Sequence, residues 1–122
     1  MNSIFKNYPN LDLLYNEVRD YIAEHQGEKG YIDVQNLDYR GCTIRAFVYD
    51  ADEFKGVEMK VHGVRVKDGD IQVVCEYEPL HGDIVYDDDA FKNAVWEDIK
   101  DSDYVYYYHT LFEIADFIGD YV

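Results

Sequence analysis

Cysteine, proline and basic side chains are all scarce in this sequence. Its two cysteines, Cys42 and Cys75, are too few for a disulfide framework, so both are expected as free thiols inside the fold. Two prolines leave no Pro-rich linker. No apolar run reaches the roughly 18 residues of a membrane-spanning helix. The opening MNSIFKNYPN lacks the charged-then-apolar layout of a secretory leader. The expectation is a cytoplasmic protein with no membrane partner.

Acids and aromatics are abundant instead. The chain has 26 Asp and Glu against 11 Lys and Arg, a formal charge of −15, yet it is 48% hydrophobic and 16% aromatic. Low hydrophobicity, the usual cause of acidic disorder, is therefore absent. The 122 residues suit one domain, 1–122, large enough to bury its own core. The charge is uneven. Residues 83–122 hold eleven acids against Lys92 and Lys100, a balance of −9. A field of that sign repels nucleic acid and anionic lipid and attracts basic partners.

Leu11 to Gln26 carries a helical stripe of Leu11, Leu14, Tyr15, Val18, Tyr21 and Ile22, with Asn10 as N-cap and Gly27 past the end. Four strands are expected next, near Gly30–Asn36, Cys42–Asp50, Val57–Lys67 and Ile71–Glu78. Lys67-Asp68-Gly69-Asp70 predicts a two-residue turn with positive φ at both central positions, setting Val66 opposite Ile71 and Val64 opposite Val73. The apolar parity of the third strand then flips between Val61 and Val64. One extra residue at His62 or Gly63 repairs it, so a β-bulge is expected there, with Gly63 easing the backbone. Ala90 to Lys100 reads as a short helix capped by Asp89, with Phe91, Val95 and Ile99 on one side. Asp103 to Val122 reads as a helix with Tyr104, Tyr107, Tyr108, Leu111, Ile114, Ala115 and Ile118 inward, and Tyr106, Thr110, Glu113 and Phe117 on a second stripe. The resulting fold class is α+β: two layers, a four-stranded antiparallel meander with N- and C-terminal helices packed on one face.

No catalytic, cofactor or metal motif is legible. His25, His62, His81 and His109 have no recognisable spacing with the cysteines, and Asp50-Ala51-Asp52-Glu53 has Lys55 where a calcium loop needs Gly. No phosphate-binding glycine motif is present. Arg45, Phe47 and Tyr49 with Lys60, Arg65 and Lys67 could stack unpaired bases on an open sheet, but at −15 the charge opposes every phosphate. No cofactor and no direct nucleic acid are therefore expected.

The reading that remains is a non-enzymatic binding protein. Its acidic C-terminal third would engage a basic protein, a nucleic-acid-binding protein being one such partner, through Asp87, Asp88, Asp89, Glu97, Asp98, Asp101 and Asp103 with Tyr106 and Phe117 beside them. In a helix Glu97 and Asp101 would stand one turn apart. In composition the chain is similar to nucleic-acid-mimicking inhibitors of DNA-binding proteins and to acidic immunity proteins that neutralise basic nucleases. That likeness transfers no residue roles. The alternatives are a small-ligand protein or enzyme using the Leu80–Asp83 loop, where His81 sits, and a domain whose role ends at self-association.

Overall fold

The structure, a computed structural model, describes residues 4–37, 44–49, 56–77, 85–101 and 104–121; at 36, 37, 44–49, 56–59, 77, 104–106, 120 and 121 it describes the backbone alone. Helix α1, Leu11–His25, begins where Asn10 accepts a hydrogen bond from the Leu13 amide and ends before Gly27, whose φ is +64°. Leu14, Tyr15, Val18 and Ile22 are buried. The buried Tyr15 hydroxyl accepts from the Ile71 amide at 2.8 Å, tying the helix to the sheet.

The long hairpin forms as its turn dictates. Strands β3, Gly56–Lys67, and β4, Asp70–Tyr77, pair antiparallel with Val66 opposite Ile71 and Val64 opposite Val73. Asp68 and Gly69 have φ of 55° and 83°. The register shifts between Val61 and Gly63, which makes His62 the extra residue, and beyond it Val61 faces Cys75 and Met59 faces Tyr77. The bulge keeps Val61, Val64, Ile71 and Val73 together in the main core. Gly63 serves a different purpose from the one expected. Its φ is not positive, but a Cβ there would stand 2.6 Å from Phe91 Cε1. The position requires emptiness rather than backbone freedom.

The first strand is shorter than expected. Only Ile32–Asp33, β1, pairs with β3, at Val64 and Gly63. The chain then turns into the one-turn helix α2, Val34–Leu37. The reason is occupancy of the edge. Strand β2, Ile44–Tyr49, pairs with the same side of β3 from Val61 to Gly56, so β1 has no edge left beyond Asp33. The side-chain amide of Gln26 extends that edge the other way, accepting from the Val66 amide at 2.9 Å and donating to its carbonyl at 3.3 Å.

After β4 the described chain resumes at Val85. Helix α3 runs only from Asp88 to Asn93, with Asp87 rather than Asp89 as its N-cap. It stops because Trp96 turns back and donates its indole N–H to the Phe91 carbonyl at 3.1 Å. The chain then pairs with β4 as β5, Glu97–Asp98, and closes a short 3-10 turn at Ile99–Asp101. Val95, expected beside Phe91 and Ile99, is therefore 81% exposed. Phe91 lies outside the main core cluster, and Ile99 belongs to it.

Helix α4, Tyr104–Tyr121, packs on β2 and α1. Its buried side is the expected one at Tyr107, Leu111, Ile114, Ala115 and Ile118, and it differs at the margins. Thr110 is fully buried and Phe117 packs against the core, whereas Tyr108 is exposed. The ring contacts of Tyr108 with Phe112 and of Phe112 with Tyr8 place Tyr108 on the flank of the helix. The fold is thus α+β, with antiparallel strands and a helix at each end, and α1 and α4 share one core against the sheet. Among the described residues no helix is long and apolar enough to cross a membrane. Cys75 is a free thiol packed against the core, and Cys42 lies outside the described residues.

Candidate functional site

The face of the sheet opposite α1 and α4 is not bare. Strand alternation sends Arg65, Gln72, Val74 and Glu76 to this side, and the bulge adds His62. An aromatic layer covers them. Phe91 is 1% exposed, its ring 4.4 Å from Tyr31, 5.2 Å from Tyr86 and 6.2 Å from Trp96. The layer is fixed from below by Gln35, which donates to the Tyr86 carbonyl at 2.7 Å.

Beneath Tyr86 lies a buried polar pair. His62 Nε2 and Glu76 Oε2 are 2.9 Å apart, and the two residues are only 3% and 5% exposed. The Tyr86 ring stands 4.7 Å from the imidazole. His62 Nδ1 is buried without a hydrogen-bond partner among the described residues. Burial and the nearby Glu76 carboxylate push the Tyr86 phenol above its usual range.

Beside this layer a cleft of about 240 Å³ opens to solvent. Its walls are Tyr31, Phe91 and Trp96, with Gly30 at one edge. Its charged residues are Lys29, Arg65, Lys92 and Asp88. Arg65 lays its guanidinium 4.3 Å from the Trp96 ring centre and donates from Nε to Gln72 at 2.7 Å. Desolvation lowers its pKa, and Asp68 opposes the shift. Asp88 takes a short hydrogen bond from the Tyr31 hydroxyl and pairs with Lys29 at 3.2 Å. Those bonds hold its carboxyl below the usual range. Partial burial, joined by the bond to Asp88, holds the Tyr31 phenol up at about 12.

The acids singled out in the sequence divide between this region and others. Asp87, Asp88 and Asp89 are exposed together at the start of α3, and Asp101 is exposed at the end of the 3-10 turn. Asp87 is committed as a cap, accepting from the Ala90 amide at 2.8 Å. Glu97 and Asp98 are half-buried in β5, opposite Val73 and Gln72, so the helical spacing of Glu97 and Asp101 does not form. Asp98 accepts from the Lys100 amide at 2.9 Å, and burial raises its carboxyl. Asp103 and the Tyr106 side chain lie outside the described residues. Phe117 is half-buried against the core rather than on an open stripe. The Leu80–Asp83 loop, His81 included, also lies outside the described residues. What sequence reading missed is the apolar part of the acidic region, Val85 and Val95, each 81% exposed on either side of the three aspartates.

No protein-family model matches this chain, and neither does any curated protein or solved structure. Among the described residues no group of three or more His, Cys, Asp or Glu could hold a metal ion.

Proposed function

We propose that the protein is a non-enzymatic binding protein that engages a basic protein surface through the Val85–Asp101 segment. The observation that supports this reading is the grouping of three exposed carboxylates at Asp87–Asp89 between two nearly fully exposed valines. Isolated surface apolar residues are ordinary, but valines flanking fixed charges supply both steering and contact area. Asp88 is oriented by Tyr31 and Lys29, and Asp87 by its cap, so the backbone carrying the group is held before any partner arrives. The formal charge of −15 would steer association and make it weaken steeply with salt.

Residues that hold the fold are poor choices for the test. Asp89 and Asp101 are exposed, so Asp89→Lys with Asp101→Lys reverses charge while keeping the cap, the Tyr31 bond and β5. A second variant, Val85→Ser with Val95→Ser, removes the apolar contacts. Wild type and both variants are used to capture proteins from host extract at low salt, with elution by a salt gradient. The expected result is one basic protein that wild type retains, that elutes sharply, and whose affinity for both variants falls about tenfold or more. Equal retention by the variants, or a scatter of unrelated basic proteins, overturns the reading.

A further inference from the structure

The cleft beside Trp96 carries a charge opposite to that of the molecule around it. Among the described residues Lys29, Arg65 and Lys92 line it with a single carboxylate, Asp88, on a chain with only 11 Lys and Arg. Asp88 already receives the Tyr31 hydroxyl and Lys29. Arg65 uses Nε on Gln72, which leaves its terminal N–H groups without a hydrogen-bond partner among the described residues. Lys92 pairs with Asp89 at 3.9 Å between two exposed side chains, a contact of little energetic weight. The walls are aromatic. Cations in surplus over rings select a ligand that is both planar and anionic.

We propose that this cleft binds a small aromatic carboxylate, with the ring against Trp96 and Tyr31 and the carboxylate between Arg65 and Lys92. Size supports the choice. A volume of about 240 Å³ equals about eight waters at their liquid share of ~30 Å³ each, room for one ring system and its carboxylate. The fork of Arg65 offers the paired donors that suit a carboxylate, and its stack on Trp96 fixes their direction. This inference does not rest on the partner reading, and either can fail alone.

Trp96 is the single tryptophan, so its indole N–H gives one unambiguous resonance in a ¹⁵N-resolved spectrum. The probes are 1-naphthoate, the neutral 1-naphthamide and inorganic phosphate. Saturable displacement of the Trp96 resonance by 1-naphthoate is expected, with a Kd below about 1 mM. The amide should bind at least tenfold more weakly, and phosphate more weakly still. Arg65→Gln and the exposed Lys92→Gln should each lower affinity about fivefold, while keeping wild-type dispersion elsewhere. Lys92→Gln leaves the packing untouched and keeps the test valid if Arg65→Gln does not fold. Absence of saturation, equal binding of acid and amide, phosphate binding as tight as naphthoate, or indifference to Lys92→Gln would each overturn the proposal.

Discussion

Replacing Gly63 by alanine gives the sharpest test of the aromatic layer. Gly in a strand interior ordinarily costs about 0.5–1 kcal/mol relative to alanine, so secondary-structure propensity alone expects Gly63→Ala to stabilise. The structure expects the reverse. The new methyl carbon would stand 2.6 Å from Phe91 Cε1, 3.3 Å from Phe91 Cδ1 and 3.3 Å from Trp96 Cη2. Carbon pairs rest near 3.5–4.0 Å, so the Phe91 ring must retreat by about 1 Å. It is 1% exposed and held among Tyr31, Tyr86 and Trp96, so it has nowhere to go without moving α3. Overpacking of that kind costs about 1–3 kcal/mol. For a domain of this size each kcal/mol moves Tm by about 3–5 °C. Urea unfolding of wild type, Gly63→Ala, Phe91→Leu and the double variant measures both the loss and its cause. Phe91→Leu destabilises alone by leaving a void, but in the double variant it makes room for the methyl, so the two losses should fall short of additive by about 1 kcal/mol. A stabilising Gly63→Ala, or additivity within about 0.4 kcal/mol, would show that Phe91 does not pack over Gly63.

Three further outcomes are expected. Glu76→Ala leaves the buried His62 Nε2 without its hydrogen-bond partner and should cost about 1–3 kcal/mol in urea unfolding, with Glu76→Gln milder because its carbonyl still accepts; a loss under about 0.5 kcal/mol for the alanine would refute the pairing. The Tyr31 phenol is raised to about 12, so between pH 10 and that value the native state holds a proton the unfolded chain has lost, and stability must fall as pH rises through that window. Urea midpoints from pH 9 to 11.5 should drop, and less steeply in Tyr31→Phe. Burial raises the Glu113 carboxyl, which means that stability declines as pH climbs from its unfolded value of 4.5 through the folded one. Glu113→Gln should therefore be more stable than wild type at pH 7 and show a flatter acid-side profile; lower stability at pH 7 would contradict it.

What was legible in the sequence follows from how local the cause is. Asp68-Gly69 fixes a turn, the turn fixes register, and parity then reveals the bulge at His62 without reference to any distant residue. The same holds for α1, whose cap and terminal Gly27 lie within the helix's own few residues. The failures have tertiary causes. Tyr31 to Val34 alternates like a strand, yet β2 already holds the edge of β3 that a longer β1 would need. Phe91, Val95 and Ile99 have helical spacing, but the helix ends at Asn93, leaving Val95 in solvent. The acidic residues were visible as a group; their division into exposed aspartates and the half-buried Glu97 and Asp98 depends on β5 pairing with β4.

The β3–β4 hairpin serves as a wall between two interiors, since its residues are buried against α1 and α4 on one side and against the aromatic layer on the other. Such a wall exchanges its amide protons only when both interiors open together. The amides of Val64 to Val66 and Ile71 to Val74 should therefore be the last to take up deuterium, at a rate set by unfolding of the whole domain. Helix α3, a turn and a half long and exposed along Asp88 and Asp89, can lift without disturbing α1 or α4. Deuterium uptake would then separate the molecule into a slow spine and a fast cover, with Trp96 reporting the cover and Tyr15 the spine.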